Sequence, residues 1–240
     1  MTSSCKTRPY IFLLSIVFTL QLTAQYSSNP LVINYDHTDY RAANKSWTIT
    51  FDSLGIAYFG NNSGLLEFDG SNWLVHSLPE QAIARSVASD GGAKIYVGSY
   101  EEFGYMERNT KGQLHYVSLS KLLDPSELHN DEIWRIVIHK GKVYFQSFWS
   151  IFIYDGEDIE IIRPGRAIVL LMKARDRLFI HKVRTGLYEI KDNRMEFIPG
   201  SELLADDEIK TIMPYGESDF LIGADSGGLF IYRDNNLVPW

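Results

Sequence analysis

The sequence is almost without cysteine. Its single one, Cys5, precedes the apolar run Tyr10–Leu20. A disulfide framework and a cysteine-bearing metal site are both excluded, so stability has to come from packing. An excess of cations is missing as well: 23 Lys and Arg stand against 30 Asp and Glu, a formal charge of −7. So acidic a chain is poorly matched to a nucleic-acid backbone or to an anionic membrane surface. No second long apolar span follows Tyr10–Leu20, which is itself too short to cross a bilayer comfortably. No Gly-x-Ser-x-Gly elbow and no phosphate-cradling glycine loop occurs. Gly91-Gly92 and Gly227-Gly228 read as turn glycines. His37, His76, His115, His129, His139 and His181 include no pair at helical metal-ligand spacing, so neither a metal nor a cofactor is expected.

The first residues carry an address. Lys6 and Arg8 precede the apolar core, and Leu22-Thr23-Ala24 offers a small residue before Gln25. Residues 1–24 read as a secretory signal peptide, with an uncleaved anchor as the alternative, and the product is expected to be periplasmic. Loss of Lys6 and Arg8 takes the formal charge from −7 to −9. What remains, about 215 residues, is enough for one sizeable core.

That remainder repeats. An apolar strand, a tight turn and a second apolar strand recur five times, as in Tyr58-Phe59-Gly60 followed by Gly64-Leu65-Leu66-Glu67-Phe68-Asp69-Gly70. Aligned on Gly60, Gly98, Gln146, His181 and Gly223, the steps are 38, 48, 35 and 42 residues. Each copy has room for four strands and none for a helix, the pattern of a propeller blade. The fold is read as all-β, a β-propeller of about five four-stranded blades near 47–78, 82–119, 132–163, 168–199 and 209–240, and as part of a larger ring. Within residues 25–46, Leu31–Tyr35 is a candidate closing strand. The connectors Leu119–Asp131 and Gly200–Glu208 each contain Ser-x-Leu-Leu, in which the serine is placed to cap one helical turn.

Tyr40-x-Ala42-x-Asn44-x-x-Trp47, Gly64-Leu65-Leu66-Glu67-Phe68-Asp69-Gly70-x-x-Trp73 and Glu102-Phe103-Gly104-Tyr105 carry a resemblance. The chain resembles the N-terminal propeller region of bacterial two-component-regulator propeller sensors. In that family the propeller is followed by a triple-tyrosine sandwich, a membrane helix, and a histidine-kinase or LuxR-type output. The resemblance implies an extracytoplasmic input region that meets the membrane only through downstream segments and forms a homodimer in the full-length sensor. No sandwich, kinase motif or helix-turn-helix lies within these residues, so no output activity is assigned to them.

Candidate chemistry is sparse. Glu101-Glu102, Asp131-Glu132 and Asp206-Asp207-Glu208 are adjacent loop carboxylates, expected to diverge and stay solvated rather than to act as a glycosidase pair. Residues near the start of each blade's first strand are better placed, because a propeller gathers them around its channel. Asn44, Trp47, Arg85, Trp134, Arg135 and Lys210 are the candidates, with cations and indole faces suited to an anionic or sugar-like ligand. The plain alternative is that Arg85 and Arg135 pair with loop carboxylates and that the tryptophans are packing. The reading is a non-enzymatic sensory or ligand-binding propeller. Its rivals are a secreted carbohydrate-active propeller enzyme and a protein-interaction scaffold.

Overall fold

The computed structural model of the chain describes residues 32–128, 130–234 and 236–240. The signal-peptide reading falls outside them. Met1–Asn34 and Tyr35–Trp240 are separate units, and the architecture below is that of the second.

Five antiparallel four-stranded sheets follow one another, each meandering in chain order. Blade one holds β1 (Ser46–Phe51), β2 (Ala57–Asn61), β3 (Gly64–Phe68) and β4 (Trp73–His76). Blade two holds β5 (Ser86–Ser89), β6 (Lys94–Gly98), β7 (Phe103–Arg108) and β8 (Leu114–Ser118). Blade three holds β9 (Arg135–His139), β10 (Lys142–Gln146), β11 (Ile151–Tyr154) and β12 (Ile159–Ile162). Blade four holds β13 (Ile168–Ala174), β14 (Arg177–Lys182), β15 (Gly186–Lys191) and β16 (Arg194–Phe197). Blade five holds β17 (Ile209–Tyr215), β18 (Asp219–Ala224), β19 (Gly228–Arg233) and β20 (Asn236–Pro239). The architecture is an all-β propeller of about five blades.

Side-chain alternation gives each blade two apolar faces, and four cores form between consecutive blades. Tyr58 and Leu65 meet Val87 and Ile95 between blades one and two. Phe103 meets Phe145 and Phe152 between two and three. Tyr144 and Ile151 meet Leu171 and Ile180 between three and four. Phe179 and Leu187 meet Ile212 and Phe220 between four and five. A middle strand covered on both faces needs apolar residues throughout, which is why all four residues of Ile151-Phe152-Ile153-Tyr154 are buried. The face of blade one turned from blade two leaves Ile49 and Phe51 exposed, and that of blade five leaves Met213 and Leu229 exposed.

Two expectations are corrected. Val32–Tyr35 form no strand. Asp36 instead caps a single helical turn, α1 (His37–Tyr40): its carboxylate accepts from the Thr38 N–H, and Asp39 accepts from the Asp36 N–H at 2.8 Å. Tyr35 then lays its ring against Phe68 and Trp73 on blade one. The two Ser-x-Leu-Leu segments do form short 3₁₀ turns, Ser120–Leu122 and Ser201–Leu204, but neither serine caps its turn. Ser201 is buried, and its hydroxyl accepts from the Leu187 N–H and donates to the Ile198 carbonyl. These bonds and the fully buried Leu204 pin the connector to blade four.

Candidate functional site

The first strands run side by side around the channel, β5 beside β1 and β9, β13 beside β9 and β17. Hydroxyls of β1 stitch two of them: Thr48 Oγ1 accepts from the Val87 N–H at 3.0 Å and Thr50 Oγ1 from the Ser89 N–H at 3.2 Å. Just ahead of β5 and β9 the chain bonds sideways to the end of the preceding blade's second strand or the turn after it. The Ala84 N–H reaches the Asn61 carbonyl, and the Ile133 N–H reaches that of Ser99. The Arg85 N–H then binds the Gly98 carbonyl, and the Trp134 N–H that of Gln146, within their own blades. These bonds fix where Arg85 and Trp134 leave the backbone.

The result is a cluster at the start of β1, β5 and β9. The Arg85 guanidinium carbon lies 3.7 Å from the Trp47 ring centroid and 4.8 Å from that of Trp134. The two indoles meet edge to face at 6.1 Å. Lys45 Nζ stands 3.6 Å from the Trp47 ring centroid, and the Trp47 indole N–H donates to Asn62 Oδ1 at 2.8 Å. Arg85 Nε donates to Glu132 Oε1 at 2.6 Å. Partly desolvated cation–π contacts of this kind contribute roughly 1–2 kcal/mol each. Trp134 also packs on Phe148, and the neighbouring Trp149 is 56% exposed in the same turn. The buried Trp134 indole N–H has no acceptor among the described residues.

The six sequence candidates therefore divide. Trp47, Arg85 and Trp134 come together. Arg85 does pair with a loop carboxylate, Glu132, and is held by both indoles at once. Asn44 is exposed on the bend before β1; the neighbouring backbone is bonded by Asn61, whose amide donates to the Ala43 carbonyl. Lys210 is not part of the cluster. It lies two blades beyond β9 and pairs within its own blade, at 2.8 Å from Glu208 and 3.6 Å from Asp225; the Glu208 hydrogen bond holds its ammonium above the ordinary value. Arg135 does not pair as the plain alternative held. It forms no ion pair or hydrogen bond among the described residues. Solvent reaches it through the channel, yet the surrounding walls desolvate its guanidinium and hold its pKa below the ordinary value.

Arg135 lines a cavity of about 470 Å³ with Thr48, Ser86, Trp134, Ile136 and Lys173. Lys173 escaped the sequence reading, as did Lys45, Glu132, Phe148 and Trp149. Two consecutive aromatics in a turn, Phe148-Trp149, were the available signal. The carboxylate clusters do diverge, but one is not solvated: Asp131 is buried and accepts from the Ser147 and Ser150 hydroxyls. Its neighbour Glu132 turns to Arg85. Among the described residues no group of three or more His, Cys, Asp or Glu is placed to hold a metal ion, and no helix is long and apolar enough to cross a membrane.

No family model and no curated protein matches the sequence. Solved structures match by fold. Virginiamycin B lyase from Staphylococcus aureus is 14% identical with a TM-score of 0.59, over 82% of this chain and 70% of that one. YCF48 bound to D1 peptide is 12% identical at 0.59, over 88% and 74%. The extracellular domain of BT4673 from B. thetaiotaomicron is 12% identical at 0.51, over 88% of this chain and 34% of that one. The chain thus spans about a third of the BT4673 domain. At these identities the likeness is one of fold, and function rests on the site.

Proposed function

We propose that this chain is an extracytoplasmic, non-enzymatic ligand-binding propeller that serves as the input region of a bacterial signal-transduction regulator. The observation that supports it is the cluster of Trp47, Arg85 and Trp134, with Phe148 and Trp149 beside it at the start of the first strands. Indole faces stack on the CH faces of a sugar or on a planar ligand, while Arg85, already fixed by Glu132, orients them without reorganisation on binding. The leader-like N-terminus and the Gly-Leu-Leu-Glu-Phe-Asp-Gly and Glu-Phe-Gly-Tyr strings support export and the sensor assignment. The exposed apolar faces of blades one and five support membership of a larger ring.

A glycan-binding screen on the purified chain tests this reading. Binding of at least one saccharide is expected, with affinity lost at least tenfold in Trp134→Ala, a cost of about 1.4 kcal/mol or more for an aromatic contact. Release of a shortened product from the bound glycan identifies an enzyme instead. An affinity unchanged in both Trp134→Ala and Arg85→Ala removes the cluster as the site.

A further inference from the structure

The channel cavity is chemically one-sided. It is lined by Arg135 and Lys173 and by no carboxylate, although the chain carries 30 acids against 23 bases. The cavities beside His139 and His181, by contrast, are lined by Asp176 and Glu189 and by Asp206, Asp207 and Glu208. Neither Arg135 nor Lys173 forms an ion pair among the described residues.

Their placement on one cavity has a structural cause. Ile136 and Ile138 pack toward blade two and Val137 toward blade four, so alternation sends Arg135 to the blade-four side. On β13 a bulge between Val169 and Met172 inserts one residue. Ile168 and Leu171 therefore share the side toward blade three, while Met172 and Ala174 turn toward blade five. Lys173, two residues after Leu171, joins the blade-three side. Both cations thus line one cavity.

The remaining polar groups suit a polyol. Ser86 Oγ, which is buried, gives its proton to the Ile133 carbonyl at 2.8 Å. Thr48 Oγ1 accepts from the Val87 N–H, which leaves its own proton to give. The Trp134 indole N–H is without an acceptor. Ile49, Val87 and Ile136 supply aliphatic wall.

We infer that the cavity takes an acidic sugar of the hexuronate class, its carboxylate between Arg135 and Lys173 and its ring against Trp134 and the aliphatic wall. This rests on the reading of the channel mouth as the ligand site and specifies what enters it. The two cations reside where low-dielectric walls focus their field, which favours an anion over a neutral sugar of equal size.

Calorimetric titration of the full chain with sodium glucuronate, glucose and sodium sulfate at matched ionic strength decides it. Glucuronate is expected to bind at least tenfold tighter than glucose, which lacks the charge, and than sulfate, which lacks the ring. Arg135→Met and Lys173→Met each weaken glucuronate about tenfold, the worth of one charge-assisted hydrogen bond. Thermal unfolding verifies that the variants fold; should either fail, the wild-type protein still answers, because added salt must weaken glucuronate and leave glucose unaffected. Equal affinity for glucuronate and glucose, equal affinity for sulfate, insensitivity to salt, or no effect of either Met variant overturns the inference. Neutral glycans that bind through Trp134 with Arg135→Met silent would leave the ligand site standing and remove only the acidic sugar. Failure of every saccharide to bind removes both.

Discussion

Gly98 is where the fold and the candidate site depend on the same few tenths of an ångström. A Cβ at this position would sit 2.4 Å from Ile133 Cγ2, 2.7 Å from Ile133 Cβ and 2.6 Å from Ser86 Oγ. All are inside the distance that packed atoms tolerate, and Ile133 is 1% exposed with its N–H bonded to the Ser99 carbonyl. It cannot swing away as a surface side chain would. Gly98→Ala therefore forces the connector at Ile133 outward, at the roughly 1–3 kcal/mol typical of overpacking. For a domain of this size that corresponds to a fall in Tm of about 3–10 °C. Gly92→Ala is the control: its Cβ meets only the flexible Asp90 carboxylate, at 3.1 Å, on an exposed turn. Scanning calorimetry on both variants gives the comparison. Because Trp134 follows Ile133 directly, the displaced connector should also loosen the Trp47–Arg85–Trp134 cluster, read as a change in indole fluorescence for Gly98→Ala and none for Gly92→Ala. Equal midpoints for the two variants would refute the close-approach argument.

Two further predictions concern stability. Glu67 and Glu189 are buried carboxylates; desolvation works to raise their pKa values, but hydrogen bonds from His76 and Arg108 to the first, and from Arg177 and Lys191 to the second, outweigh it and hold both below the ordinary value. His139 and His181 are held below the ordinary histidine value chiefly by desolvation. In all four the unfolded chain binds protons at higher pH than the native one, so stability rises with pH through each window. Urea unfolding should show stability lost in two stages on acidification, first below about pH 6.5 from the histidines, then below about pH 4.3 from the glutamates; a flat profile from pH 7 to 5 would contradict the first. Leu204→Ala, at a fully buried position in the core between blades four and five, should cost about 2–5 kcal/mol by chemical denaturation, and a loss below 1 kcal/mol would show that the connector is not pinned there.

The blades were legible because their turns and apolar runs are local signals. Asn61-Asn62-Ser63-Gly64 places Gly64 at φ 113°, where a side chain would meet the His76 carbonyl oxygen at 2.4 Å. The opening strands of blades two and three begin later than the apolar pattern, at Ser86 and Arg135 rather than Ile83 and Ile133. Their first residues are apolar because they pack, yet the N–H groups of Ala84 and Ile133 bond to the preceding blade instead of into their own sheet. Repeat register also found Trp47, Arg85 and Trp134, each within two residues of the start of a first strand. What register cannot supply is the side to which a neighbour points. Arg85 and Arg135 look equivalent in sequence, but one lies before its strand and meets a carboxylate, while the other lies within its strand and faces the next seam. Lys173 was hidden twice, inside an apolar run and behind a bulge. Plain alternation from Ile168 sends it toward blade five.

The separation of the cations also bears on what each is for. Arg108 and Arg177 serve buried glutamates at equivalent third-strand positions, Glu67 and Glu189, and each also donates to a tyrosine hydroxyl at 3.3 Å. Such pairs answer an internal need: removing either arginine takes from a buried carboxylate one of its two charged partners, which is costly. Arg85 is intermediate, paired with Glu132 and stacked on two indoles, so its loss disturbs structure and site together. Arg135 has no partner among the described residues, and Lys173 makes no ion pair, acting on the Asp176 carboxylate only through space. The desolvation of Arg135 works against the folded state. The cavity it lines holds no carboxylate to offset that cost, although the chain as a whole has acids to spare. A desolvated cation without a partner, such as Arg135, is the pattern expected where a ligand supplies the missing charge.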